Sequence, residues 1–430
     1  MLKLLSLPMF ASLLLACMAL SSVLHLFVPV LPLWVSGLCG WLALVLLLLP
    51  SPTLRPFAQF FALSIAGLCL LLGAGLRGAP LHFTDILLQN NGLLVMLYCV
   101  GFLRLIASEQ AKPETLPRGK SAFLQTLMGV HVLGAVINMS VLVLMAERLH
   151  AQQALGKQAT IVLNRGFSMA AFWSPFFAAM AVALTYAPGA QLHPVVLTGL
   201  GLMAIAMLIS VVEIGGLRLQ QVAEFRGYPL HFASLIIPAL LAVTVLVLHV
   251  ILPTVPVLSV VSVTSVVLSV AYLCVTDLPT AKARLVTHMM GSGSRMVREM
   301  SLFLGAGLLS VGVQSLFSTL TWQPFQTFGG WQAGLTLAVV LLVSLLGVHP
   351  VVSIAVLGSL LAPLHVDPNL LAVFFLCIWS IGVVASPFSG VNTVLRSQFE
   401  ISGMDLVKGN ALYVVLMWGI IALWFAWQLG

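Results

Sequence analysis

The side chains in this sequence best placed to bind something are uncharged oxygens and nitrogens, set where two apolar helices are interrupted. One interruption reads Trp173-Ser174-Pro175-Phe176. The other reads Ala385-Ser386-Pro387-Phe388 and continues as Ser389-Gly390-Val391-Asn392. Proline lacks an amide hydrogen and clashes with the carbonyl one turn back, so each motif opens the backbone. Freed amides at a helix start favour an anion, and freed carbonyls at a helix end favour a cation such as sodium. Hydroxyls, carboxamides and a histidine at the same depth would then set specificity. The candidate binding residues are Asn138, Ser140, Ser168, Ser174, Pro175, His349, Pro350, Ser353, Ser386, Pro387, Ser389, Gly390 and Asn392, with a sodium ion expected near Ser386 and Asn392. His131 reads as a packed histidine. Arg396, a turn beyond Asn392, reads as a basic anchor at the end of its helix, with an anion-holding role as the alternative.

What is missing narrows the chemistry. Asp85, Glu147, Glu213 and Asp277 fall at the ends of apolar segments. Exchange of protons on buried carboxylates, and carriage of divalent metals, would call for acids at mid-depth, so an anionic or neutral solute is favoured. No Asp/Glu/His grouping has the spacing of a catalytic cluster. No catalytic residue is assigned, and the chain is not read as an enzyme. The cysteines Cys17, Cys39, Cys69, Cys99, Cys274 and Cys377 stand singly and read as structural thiols.

The elements that position these residues must be membrane helices. Apolar residues make up 61% of the chain and charged residues 7%, with a mean hydropathy of +1.14. Apolar runs near twenty residues fit helices, whereas barrel strands would alternate. The reading is an all-α polytopic membrane protein with about 11 transmembrane helices plus two opposed re-entrant hairpins. The net charge of +7 collects in loops, where it sets orientation, and no nucleic-acid partner is implied. The N-terminal run reads as an uncleaved first helix with Lys3 in the cytoplasm, in a bacterial inner membrane.

Loop charge locates the hairpins. The loops on both sides of 122–148 are basic, so that segment enters and leaves on the cytoplasmic face. Both sides of 331–363 lack Lys and Arg, so it enters from outside. The chain then divides into a first helix (1–30), repeat one (31–216, with hairpin 122–148 and broken helix 166–187), a cytoplasmic linker (217–231) and repeat two (232–430, with hairpin 331–363 and broken helix 369–393). The connector 279–298, with Lys282, Arg284, Arg295 and Arg298, reads as an interfacial helix. Spacings match between the halves: Asn138 to Ser174 is 36 positions and His349 to Ser386 is 37, while Ser140 to Ser174 is 34 and Ser353 to Ser386 is 33. Repeats of opposite topology are a scaffold of secondary transporters.

On these residues the chain resembles the ion transporter superfamily of elevator carriers, which includes divalent anion/sodium symporters, TRAP large permease subunits and arsenite-type carriers. The resemblance covers nearly the whole chain. Ser386-Pro387-Phe388-Ser389-Gly390-Val391-Asn392 is close to the family's broken-helix element, Ser174-Pro175-Phe176-Phe177 lacks the trailing Asn, and neither hairpin tip carries Ser-Asn-Thr. The resemblance implies a secondary active transporter moving a small, anionic solute by an elevator mechanism, coupled to sodium or protons, and working as a homodimer among membrane lipids. The alternatives are a lipid or polyprenyl-phosphate carrier or flippase on the same fold, and a membrane subunit of a multi-component transporter.

Overall fold

A computed structural model describes residues 6–50, 55–107, 116–137, 139–229, 236–321 and 324–429, without the side chains of Arg55, Ser140 and Gln152. In chain order the helices are α1 (Leu7–Phe27), α2 (Trp34–Leu48), α3 (Ala58–Leu76), α4 (Phe83–Leu88), α5 (Asn91–Val100), α6 (Arg104–Ala107), α7 (Lys120–Ile137), α8 (Met139–Gln152), α9 (Lys157–Ser168) and α10 (Ala178–Tyr186). They continue as α11 (Leu192–Gly215), α12 (Ile236–Ile251), α13 (Val257–Thr276), α14 (Leu278–Met290), α15 (Ser292–Phe317), α16 (Gly330–Leu345), α17 (Pro350–Leu361), α18 (Pro368–Ala385), α19 (Gly390–Phe399) and α20 (Gly403–Leu429). Among the described residues the regular structure is helical, and nine helical stretches are long and apolar enough to cross a membrane. The chain is a polytopic helical membrane protein.

The helices form two compact units, and each unit draws on both halves of the sequence. The first comprises Met1–Glu109, Val243–Phe325 and Ala355–Pro363; the second comprises Gln110–Ala242, Gln326–Ile354 and Leu364–Gly430. In the first unit α3 lies along α15, α1 along α2, and α5 along α13. The α3–α15 seam closes over glycines: a Cβ on Gly67 would come within 2.7 Å of the Leu308 carbonyl oxygen, and Gly305 and Gly312 face the same seam. Helices in lipid are held by close packing rather than water exclusion, which rewards small residues at the contact. Asn90, with φ +63, donates from Nδ2 to the Phe303 carbonyl at 2.8 Å and so ties the α4–α5 junction to α15.

The stretch Phe83–Ile106, long and apolar enough to cross a membrane, is built from α4, α5, a 3-10 turn at Gly101–Leu103 and α6. The connector 279–298, read as an interfacial helix, resolves differently. Only Leu278–Met290 forms its own helix, and Arg295 and Arg298 belong to the first turns of α15.

In the second unit α7 packs on α9, α16 on α20 and α18, and α18 on α10 and α20. The segment 122–148 is divided between α7 and α8, and the two helices run back on each other. Tyr228 demonstrates the reversal: its amide donates to Thr126 Oγ1 at 2.7 Å, and its hydroxyl accepts from Arg148 Nη1 at 2.9 Å. In a straight helix those positions would stand about 33 Å apart, too far for one tyrosine and two side chains to bridge. Segment 331–363 is likewise interrupted, at Leu346–His349. There Gly347 takes φ +103, and the Val348 amide reaches back to the Val343 carbonyl at 3.4 Å. A left-handed residue ends the helix here, and glycine takes that conformation without a Cβ penalty.

Candidate functional site

Both Ser-Pro-Phe motifs break their helices, and with the same local geometry. In the first, the Ser174 amide donates to the Ala170 carbonyl at 2.9 Å, the Phe177 amide to the Ser174 carbonyl at 3.3 Å, and the Phe176 amide to Ser174 Oγ at 3.2 Å. In the second, the Ser386 amide donates to the Gly382 carbonyl at 3.0 Å, the Ser389 amide to the Ser386 carbonyl at 3.3 Å, and the Phe388 amide to Ser386 Oγ at 3.3 Å. All three bonds recur with the same spacing in sequence. Ser386 is extended, with φ −79 and ψ 121, as expected of a residue before proline. The same hydroxyl therefore replaces, in each half, one of the bonds that the proline deletes.

The breaks differ on their C-terminal sides. Ser389 caps α19, its Oγ accepting from the Asn392 amide at 3.3 Å. Phe177 occupies the corresponding place in the first half and has no side-chain cap. Asn392 folds its carboxamide back over the break, where Nδ2 donates to the Ser386 carbonyl at 2.8 Å and more weakly to the Val383 carbonyl at 3.4 Å. Two carbonyl partners fix which end of the amide is nitrogen. Oδ1 must then accept, and its donor is Asn164 Nδ2 on α9.

That orientation leaves Asn164 Oδ1 buried with no partner among the described residues, and Ser168 Oγ, one helical turn further on, is in the same condition. Both residues are fully buried. An unpaired acceptor inside a protein costs about 1–3 kcal/mol, so each orphan calls for an explanation. The Asn392 carboxamide oxygen is thus occupied by Asn164, and the open oxygen is Asn164's own. The two broken helices also touch at equivalent serines: Ser380 Oγ donates to the Ser168 carbonyl at 2.9 Å. Ser168 to Ser380 is the same step in sequence as Ser174 to Ser386.

The end of α7 lies against the first break, and the turn between α16 and α17 lies against the second. Ser174 Oγ donates to the Ala135 carbonyl at 2.5 Å, one of the last four carbonyls of α7 that have no partner within the helix. In the second half the Phe388 ring covers Gly347, while Pro350 and Ser344 lie against Gly382 on α18. Pro350 is buried at the first position of α17, and Ser353 is half-buried one turn further. His349 accepts at Nδ1 from the Val351 amide at 3.2 Å and sets its ring edge-on to Trp379 at 5.3 Å. Pro175 is buried, Pro387 half-buried, and Gly390 exposed at the start of α19. Asn138 lies outside the described residues, as does the side chain of Ser140.

His131 uses both ring nitrogens: Nδ1 meets the Gly166 carbonyl at 3.1 Å and Nε2 accepts from Trp173 Nε1 at 3.2 Å. A carbonyl cannot donate, so the proton sits on Nδ1, and the histidine acts as a strut between α7 and the first break.

Sequence reading missed three residues of this cluster. Asn164 stands one turn before Ser168 in an apolar run, and Ser380 repeats Ser168; both signals are present in the sequence. Arg165 is the third and is a correction, because its place in the chain reads as one more loop charge. It lies inside α9 at 0% exposure. Its guanidinium pairs with Glu213 through Nη1 at 2.7 Å and Nη2 at 3.1 Å, donates from Nε to Asn410 Oδ1 at 2.8 Å and from Nη2 to the Gly409 carbonyl at 2.9 Å, and stands 4.6 Å from the Tyr413 ring centroid. Four donor contacts, two of them to a carboxylate, satisfy the charge, so Arg165 bolts α9 to α11 and α20 and offers little to a ligand.

Among the described residues no three of His, Cys, Asp and Glu gather as metal ligands would. No model of a known protein family matches the chain, and no curated protein does, so its function must be read from the geometry of the two breaks.

Proposed function

We propose that this protein is a secondary active transporter that moves a small, anionic solute across the bacterial inner membrane by an elevator motion, coupled to sodium or protons. The observation that carries the reading is the pair of identically built helix breaks, with the end of α7 against one and the α16–α17 turn against the other, meeting at Asn164 and Asn392 and leaving a buried carboxamide oxygen with no partner among the described residues. Irregular backbone at membrane depth is tolerated where it binds or lines a path, and paired breaks from two repeats are how carriers build a site at mid-membrane.

In this reading α7 with α8, and α16 with α17, form re-entrant hairpins, and about 11 helices span the bilayer with the N-terminus in the cytoplasm. The second compact unit, which holds both hairpin turns and both breaks, carries the solute. The first unit is the scaffold and forms the homodimer. Asn164 Oδ1 and Ser168 Oγ are neutral oxygen acceptors that suit a monovalent coupling ion; a divalent ion would call for carboxylates. Such an ion would offset the charge of the solute as both cross. Membership of the elevator carriers of the ion transporter superfamily belongs to the same proposal.

The test is uptake into proteoliposomes with a panel of labelled carboxylates and inorganic anions, with and without a sodium gradient and with and without a proton gradient. Accumulation that requires one gradient supports the reading. Uptake indifferent to both gradients refutes the coupling, and no uptake of any solute shifts weight to a lipid carrier.

A further inference from the structure

Arg165 and Arg396 of the second unit differ in their surroundings. Arg165 has a carboxylate, a carboxamide, a carbonyl and a ring. Arg396 has a carbonyl and a ring. Its Nη1 donates to the Pro387 carbonyl at 3.0 Å, and its guanidinium carbon stands 5.6 Å from the centroid of Phe388. Gly403 flanks it so closely that a Cβ there would come within 3.0 Å of Arg396 Nε. No carboxylate among the described residues forms an ion pair with it. Glu400, one turn on, ends α19 with φ +55 and does not pair with it.

This placement departs from the anchor expected at the end of a membrane helix. An anchoring arginine extends past the helix end to reach water and headgroups. Arg396 instead reaches back nine positions, so its charge stands at the second break, beside Phe388, whose ring covers Gly347 at the turn between α16 and α17. Phe388 is 57% exposed, so the described residues do not seal this side of the break. A guanidinium has five N–H donors, and one is engaged here by the protein. A half-buried charge with no counter-charge is costly, and a bound anion would remove that cost.

We infer that Arg396 is the oxyanion receptor of this protein, its free N–H fork taking two oxygens of a carboxylate or phosphate while Phe388 supports the guanidinium plane. The inference rests on the transport reading in one respect: the anion is taken to belong to the carried solute. The same chemistry could come from a lipid phosphate, and the test separates the two.

Purified full-length protein is melted in detergent against succinate and inorganic phosphate at constant ionic strength, and in nanodiscs of phosphatidylcholine with or without phosphatidylglycerol. Stabilisation that saturates with concentration yields an apparent affinity. Wild type should respond to at least one probe, with R396Q weakened at least tenfold, R396K intermediate, and K408Q, a change at an exposed lysine of α20, like wild type. A response to succinate or phosphate identifies a soluble ligand; a response confined to phosphatidylglycerol identifies a lipid phosphate. An R396Q variant that responds like wild type, or a wild type with no saturable response in either setting, overturns the inference. R396Q should keep its unliganded melting point within a few degrees, since it loses a single carbonyl bond, and R396K is the fallback if it does not fold. Uptake of labelled succinate and phosphate separates this from the broader reading. Arg396-dependent binding with no uptake would leave the receptor standing and the transporter refuted. Uptake unchanged in R396Q would do the reverse.

Discussion

Replacing Glu213 by leucine tests whether the second unit is bolted by charge. The change leaves the Arg165 guanidinium at 0% exposure without its carboxylate, and its two charge-assisted bonds, at 2.7 and 3.1 Å, are lost. Removing one partner of a buried pair costs about 3–5 kcal/mol. Glu213 itself is 21% exposed, so water already screens part of the interaction and the lower end, about 3 kcal/mol, is expected. For a domain of 150–250 residues that corresponds to a fall in melting temperature of about 6–12 °C. The reciprocal change, R165M, leaves a carboxylate that water can reach, and orphans Asn410 Oδ1 and the Gly409 carbonyl at about 1–3 kcal/mol. The double variant R165M/E213L removes both charges and should cost no more than R165M alone. The assay is thermal unfolding of the purified protein in detergent, followed by intrinsic fluorescence and by recovery of monodisperse protein. An E213L melting point within about 2 °C of wild type, or a double variant less stable than R165M, would refute the account of Arg165 as a buried, fully paired charge.

Three further outcomes can be measured in the same way. N392L removes two donors from the break carbonyls and the acceptor of Asn164, and should lower stability by about 2–6 kcal/mol, whereas N164L deletes the orphaned oxygen and should cost about 1 kcal/mol while abolishing ion-coupled uptake; equal melting points for the two would contradict the hydrogen-bond assignment. G199V should prevent folding or cost more than about 3 kcal/mol, because any Cβ there would collide with the Phe172 carbonyl at the first break; a well-behaved variant would show that α11 does not approach so closely. W173F removes the indole donor to His131 Nε2 and should cost about 1–3 kcal/mol, with W173F/H131L recovering part of the loss.

Much of this molecule is legible without its fold, because the bilayer leaves few options. Apolar runs near twenty residues must be helices, since only internal hydrogen bonding satisfies a backbone in lipid. A proline inside such a run must break it. So the breaks at Ser174-Pro175 and Ser386-Pro387 result from residue chemistry acting within one or two turns. The same locality explains the misplacement of Arg165. By sequence it is one more basic residue after Arg148 and Lys157, and nothing near it announces that Glu213 and Asn410 will satisfy its donors from helices distant in the chain.

Tertiary structure alone decided which polar groups meet. In the sequence Asn164, Ser168, Ser380 and Asn392 are separate features, and a carboxamide's role depends on whichever groups lie within about 3 Å of it. Packing brought Asn392 over the Ser386 carbonyl, turned its oxygen toward Asn164, and left one oxygen of the pair unused. It also turned Arg396 away from the end of its helix and onto the break. A helix break is a local event fixed by sequence, whereas a binding site is a set of coincidences between distant segments that only the fold supplies.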